Sequence, residues 1–284
     1  MLNKRNTFFF SGQMISMILF PVFFFLPVAA FPSGNNYPPG SRAAAMGNAS
    51  VATSDLWSVH HNQAGLAGLT AFQAGFHYEN RYFVPELGLQ ALALALPASP
   101  GTIGLSYSYF GFSHYNESKL GLAFGRRLGE KIAAGIRINY LYTSIAGDHV
   151  NRGEITAEGG IIAQPVEGFF IAAHIYNPAR INKHVNHGEP QPVIFRAGIA
   201  GLVGERLLAA VEAEKESDFK TVLRAGLEME FAGEFYMRAG LSSGGVRSSF
   251  GLGYAFGKLV ADMAFTSHQI LGFSPHITVN YILR

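Results

Sequence analysis

Gly240-Leu241-Ser242-Ser243-Gly244 matches the G-x-S-x-G pattern of a nucleophile elbow. That chemistry needs the serine on a sharp strand-to-helix turn, where its hydroxyl meets a base and an oxyanion hole. No helical pattern follows Gly244, and Gly/Ser-rich hairpins produce the match by chance. His60-His61 and His184-x-x-His187 are the histidine pairs whose spacing suits a transition metal. The second pair stands among Asn182, Lys183 and Asn186, an ordinary solvated loop composition. The chain has no cysteine, which excludes a thiol nucleophile, a disulfide framework, a cysteine-ligated zinc and a lipid-modified N-terminal cysteine. Spacing assembles no Ser/His/Asp set. The expectation is a protein that is not an enzyme, with no catalytic residues, no metal and no cofactor.

The remaining titratable residues belong to a pattern of a different kind. From residue 70 onward, apolar side chains alternate with small or polar ones. Ile132, Ala134, Ile136, Ile138, Tyr140 and Tyr142 alternate with Gly135, Arg137 and Asn139. A helix would spread these apolar groups round its axis, whereas a strand puts them on one face. Fourteen such segments are expected, over 70–78, 87–96, 102–109, 119–125, 131–143, 154–164, 169–177, 192–202, 207–214, 221–231, 235–241, 248–256, 259–266 and 275–283. In the second, Leu92, Leu94 and Leu96 face one way and Leu87 and Leu89 the other, which a bulge would explain.

Short connections (97–101, 126–130, 165–168, 203–206, 232–234, 257–258) alternate with mostly longer ones (79–86, 110–118, 144–153, 178–191, 215–220, 242–247, 267–274). Turns that are short at one rim and loops that are long at the other mark an up-and-down transmembrane barrel. Composition agrees. Only 14% of the 284 residues are charged and 49% are hydrophobic, with 33 Gly, 24 Phe and 12 Tyr. A soluble domain carries about 25% charge. A soluble β-sandwich would also alternate, but it would need a core to hide the apolar face. The expected fold is all-β, a transmembrane antiparallel β-barrel of about 14 strands.

The first 30 residues read as an address. Lys4 and Arg5 precede an apolar stretch that ends Val28-Ala29-Ala30, small residues suited to signal peptidase. An uncleaved anchor is the alternative, but Pro21 interrupts the stretch and Pro27 ends it. Cleavage removes Lys4 and Arg5 and no acidic residue. That balances the mature charge and leaves no basic footprint for nucleic acid. The expected organisation is a signal peptide over 1–30, an N-terminal segment over 31–69 and the barrel over 70–284. The expected place is the bacterial outer membrane, in contact with its lipid, with both barrel termini periplasmic.

Presumed inward positions carry Lys119, Arg137, Arg196, Arg224 and Arg238 against Glu158, Glu212, Glu214, Glu228, Glu230 and Asp262. An ion-selective channel favours one sign, so this near balance predicts paired lumenal charges. Many inward glycines leave space to be filled. Residues 31–69 lack a strand pattern, and so long a structureless stretch is unusual without a role. A plug within the lumen is expected, with a periplasmic tail as the alternative.

Gly40-Ser41-Arg42-Ala43-Ala44-Ala45-Met46-Gly47-Asn48-Ala49-Ser50-Val51-Ala52 is followed by Asp55, Trp57 and Asn62-Gln63-Ala64-Gly65-Leu66-Ala67. These two blocks resemble the N-terminal signature of the FadL-type outer-membrane barrels, nearest to the PorV/PorQ branch of Bacteroidota. The resemblance implies fourteen strands with the N-terminal segment folded inside as a hatch, its motif residues being Gly40, Arg42, Met46, Gly47, Asp55, Asn62, Gly65 and Leu66. It implies one of two functions. The first is a protein-binding accessory subunit of an outer-membrane machine, for type IX secretion or barrel assembly, with outer-membrane or secreted proteins as partners. The second is transport of long-chain fatty acids or other hydrophobic small molecules. Gln63 stands where the family has Pro, the chain is short for the family, and the C-terminus lacks a terminal aromatic. On physical grounds, Gly40 and Gly47 permit tight bends and Asn62 can close a turn. Arg42 can bridge an inward carboxylate, with Glu158, Glu212 and Glu228 as candidates.

Overall fold

The computed structural model describes residues 38–146, 150–179, 191–217, 219–245 and 247–283. The expected signal peptide, most of the 178–191 connection and both of its histidines lie outside them. Fourteen strands follow one another: β1 Phe72–Asn80, β2 Gly88–Ala98, β3 Gly101–Phe112, β4 Tyr115–Arg127, β5 Ile132–Ile145, β6 Val150–Val166, β7 Phe169–Tyr176, β8 Ile194–Val203, β9 Leu207–Glu216, β10 Val222–Phe231, β11 Phe235–Ser242, β12 Arg247–Phe256, β13 Leu259–His268 and β14 Gly272–Leu283. Each pairs antiparallel with its chain neighbours, and β1 closes on β14 with Phe72 opposite Leu283. Closure leaves the sheet without an edge, as a lipid-facing sheet requires, because hydrocarbon offers backbone groups no other partner.

The two faces separate as the alternation demands. On β5, Ile136 and Ile138 are 62% and 59% exposed, while Arg137 and Asn139 are each 1% exposed. The outer band is built from such side chains, among them Leu122, Phe250 and Leu252. No bulge occurs in β2. Its register with β1 and β3 is unbroken, Leu89 is a buried inward residue and Gln90 is exposed. Leu87 closes a 3-10 turn, Pro85–Leu87, before the strand begins. The register shift falls instead between β6 and β7, at Ala163/Val166.

Connections at the 99–100, 128–131, 167–168, 204–206, 232–234 and 257–258 rim are short throughout. At the opposite rim the expected long connection over 110–118 is only 113–114, since β3 and β4 pair out to Phe112↔Tyr115. β5 and β6 likewise pair to Ile145↔Val150, and β13 and β14 to His268↔Gly272. Hairpins lengthen the wall there, so the contrast in connection length is weaker than the sequence suggested. Residues 81–87 and 177–193 keep long connections.

Residues 38–69 run inside the barrel. Helix α1, Ser41–Ala45, lies against β11 to β14, and the 3-10 helix Gln63–Gly68 lies against β3 to β6. Between them α2, Ser58–His61, is wholly buried. Leu56, Trp57, Val59 and Leu66 pack with Ala91, Ala93, Ala95 and Ala123 of β2 and β4. Met46, Val51 and Ala64 pack with Ile162, Ala172, Ala200 and Ala210.

Candidate functional site

Inward glycines let the N-terminal segment approach the wall at backbone distance. A Cβ on Gly240 would lie 2.1 Å from the Gly47 nitrogen, and one on Gly226 would lie 2.5 Å from the Met46 carbonyl oxygen. A Cβ on Gly135 would likewise collide with the Gln63 backbone, and one on Gly160 with the Asn62 side-chain amide oxygen. The lumenal glycines thus mark where the segment seats. Within the segment, Gly40 and Gly47 have φ of 119° and 65°, a region that costs other residues free energy. Asn62 closes its turn by accepting from the Ala64 N–H at 3.2 Å and donating to the Val51 carbonyl at 2.8 Å. Gly65 packs on Ser58, Met46 and Leu66 are almost fully buried, and Gln63 sits within the 3-10 helix, donating to Val59 O and Glu158.

Arg42 reaches Glu228 through two hydrogen bonds of 2.8 and 2.7 Å and Asp55 at 3.0 Å. Burial alone would lower its pKa, but Glu228 and then Asp55 outweigh that and raise it above the ordinary arginine value. Glu228 also takes Arg238 at 2.5 Å, and Arg238 takes Asp262 at 2.6 Å. The other two candidate partners are engaged elsewhere. Glu212 accepts the Ser50 and Val51 N–H groups at 2.9 and 2.8 Å and pairs Arg224 at 2.8 Å. Glu158 faces Lys119, Arg137 and His174 at 3.7, 3.4 and 3.1 Å. Arg196 and Arg224 share Glu214, each at 2.7 Å, and Glu230 is half-buried without entering these pairs. Most of the inward charge is therefore held in ion pairs. One of them, Arg42–Glu228, ties the N-terminal segment to the wall, and Glu212 ties it through the Ser50 and Val51 N–H groups. Burial, reinforced by Arg137 and Lys119, holds His60 well below its ordinary pKa, and burial lowers His61 too. His61 is bonded to Pro39 O at 2.8 Å, which is a structural role.

Among the described residues, two cavities flank the segment. One of roughly 250 Å3 opens at the short-turn rim, where Ala52 and Ala64 of the segment face Ile162, Phe170, Ala200 and Leu208 of the wall; its lining is largely apolar but also includes Arg42, Arg127, Glu130 and Lys131. The other, roughly 40 Å3, lies at the opposite rim between Ala44, Gly47, Glu79, Ser242 and His276. The apolar part of the first lining has no signal in the sequence, because inward apolar residues at strand ends look like lipid-facing ones. The Gly240–Gly244 motif ends β11 and enters a turn leading to β12, so the strand–turn–helix of a nucleophile elbow is absent.

No family model matches this sequence, and no curated protein matches it. Solved structures do. The CymD monoaromatic hydrocarbon channel superposes with a TM-score of 0.70 at 14% identity, over 88% of this chain and 99% of that one. The Ralstonia pickettii toluene transporter TbuX gives 0.69 at 10% identity, over 88% and 100%. A Pseudomonas aeruginosa FadL homologue gives 0.64 at 12%, over 85% and 96%. They share the barrel fold that the resemblance implies and carry nothing for its PorV/PorQ part. The closed fourteen-stranded barrel of this chain thus shares its fold with these solved structures.

Proposed function

We propose that the protein passes hydrophobic small molecules, of monoaromatic or short-chain size, across the bacterial outer membrane, with residues 31–69 as the hatch that controls the lumen. Both barrel termini are periplasmic in this reading, and the short-turn rim faces the periplasm. The observation that carries it is the apolar cavity between hatch and wall. An apolar cavity of about 150 Å3 accepts benzene, so roughly 250 Å3 accommodates a substituted ring. Its position at the hatch edge suits a last station before release. The test is uptake of radiolabelled toluene by proteoliposomes. Intact protein should exceed protein-free liposomes several-fold, and Ala200→Trp, which fills the cavity, should bring uptake down towards that blank. Uptake no faster than the blank sinks the proposal.

One observation favours the accessory-subunit reading, with its PorV/PorQ likeness. The two cavities lie on opposite sides of an ion-paired hatch, and the β1–β2 connection and the neighbouring β13–β14 hairpin expose Phe83, Ile270, Leu271 and Phe273. An apolar strip of that kind suits a protein partner. Co-purification of a stoichiometric outer-membrane or secreted protein in mild detergent, lost on Phe83→Ser with Leu271→Ser, would carry that reading instead.

A further inference from the structure

Closure of the barrel brings together three side chains that nothing above uses. His77 and Glu79 are inward residues two apart on β1, and the β1–β14 register places His276 directly opposite Glu79. All three are buried, and one potential ligand atom from each lies within 4.8 Å of the others. The two imidazoles stack at 5.9 Å between centroids.

Their hydrogen bonds leave one nitrogen of each ring bare. His77 Nδ1 meets the Thr278 hydroxyl at 2.9 Å, and His77 Nε2 has no partner. That hydroxyl also accepts the Ser41 N–H at 2.8 Å and contacts Ser41 Oγ at 2.8 Å. One assignment consistent with these contacts has His77 Nδ1–H donating to Thr278 Oγ1 and the hydroxyl proton going to Ser41 Oγ. Nε2 then carries a lone pair. On His276, Nε2 meets Thr266 Oγ1 at 3.1 Å and Nδ1 is buried without a partner. Donation from Nε2–H to Thr266 leaves Nδ1 likewise a free donor of electrons. Metal-ligating histidines donate their other ring N–H to an acceptor that fixes the tautomer, and the Thr278 and Thr266 hydroxyls are placed to be such acceptors. Glu79 is held by Arg81, with Nε to Oε1 at 2.8 Å and Nη2 to Oε2 at 3.4 Å, which orients its carboxylate and leaves further lone pairs on both oxygens.

We propose that His77 Nε2, His276 Nδ1 and the Glu79 carboxylate form a binding site for a divalent transition-metal ion, with Zn2+ as the reference ion. Two imidazoles and a carboxylate are a ligand set that zinc takes, with a fourth position left open. That position faces the roughly 40 Å3 cavity lined by Glu79 and His276, room enough for a water. Trp57 of the N-terminal segment lies 5.7 Å from the His77 ring, edge to face, and Thr278 joins the site to Ser41. A bound ion would therefore couple the segment to the β1/β14 seam. The site is independent of what the lumen transports, and its test reads metal rather than flux.

Trp57 is the single tryptophan, so its fluorescence reports the site. Tag-free protein in detergent is titrated with Co2+, whose paramagnetism quenches a nearby indole, and then with Zn2+ as competitor. The expected result is saturable quenching at one ion per chain, reversed by Zn2+. In His276→Gln and Glu79→Gln the Co2+ affinity should fall at least tenfold, while the double variant His184→Gln, His187→Gln should bind like the wild type. Where a ligand variant loses heat-modifiable migration and so has not folded, Thr266→Val keeps all three ligands, and its affinity should fall about tenfold. Absence of saturable quenching in the wild type overturns the site. So does unchanged affinity in folded His276→Gln, or loss of binding in the His184/His187 double variant.

Discussion

Arg42 shows how much one side chain does here. It spans from α1 to the wall at Glu228 and back to Asp55 of its own segment. Stranding a buried charge costs about 3–5 kcal/mol. Glu228 keeps Arg238 when Arg42 is removed, so Arg42→Ala should cost less, roughly 1–3 kcal/mol. The loss should fall on the segment, because the strand ladders do not use Arg42. Amide hydrogen exchange over 41–66 should rise by one to two orders of magnitude while exchange in the strands stays put. Equal protection of 41–66 in the variant would show that glycine-mediated packing, and not the ion pair, seats the segment.

At the scale of one strand, β5 carries both solvents on alternate residues. Ile136 faces outward and Gly135 faces the Gln63 backbone. Ile136→Arg puts a charge into hydrocarbon and should destabilise the barrel by about 2–4 kcal/mol if it lies at the bilayer midplane. Urea unfolding in lipid vesicles measures this. Gly135→Arg acts on the other face. It should leave the barrel inserted and displace the 3-10 helix Gln63–Gly68, seen as higher conductance in a planar bilayer. Like effects of the two substitutions would mean that the faces are not separated as the strand pattern requires. The same parity explains β2, where Leu89 is simply one apolar residue on the lumenal side, packed inward where a lipid-facing residue looked plausible.

For the whole molecule, the barrel and the segment inside it are separable in energetic terms. The barrel closes through backbone ladders that include no residue of 38–69. Deleting 31–69 should leave a heat-modifiable barrel that inserts and leaks small solutes. A deleted form conducting no more than the intact protein would place the segment outside the permeation path. Orientation is tested by a tag inserted near Asn186. Labelling on intact cells is expected, and labelling only after permeabilisation would reverse the proposed topology.

Alternation of apolar and small or polar residues determined the strand number, the lipid-facing set and the inward charges, because a strand's side-chain period of two depends only on local backbone geometry. Near-equal numbers of inward acids and bases likewise made pairing legible in advance. Which acid meets which base was not legible. Arg42 chooses Glu228 over Glu158 and Glu212 because α1 lies against β11 to β14, a placement set by packing against glycines far along the chain. Connection lengths were overread, since a sequence does not say how far a hairpin keeps pairing beyond its apolar stretch. The His77–Glu79–His276 cluster needed the tertiary structure most. His77 and Glu79 are visible as inward neighbours, but His276 joins them only when the last strand closes on the first. Closure is a property of the whole sheet, fixed by the need to leave no backbone edge in lipid, and no local pattern encodes it.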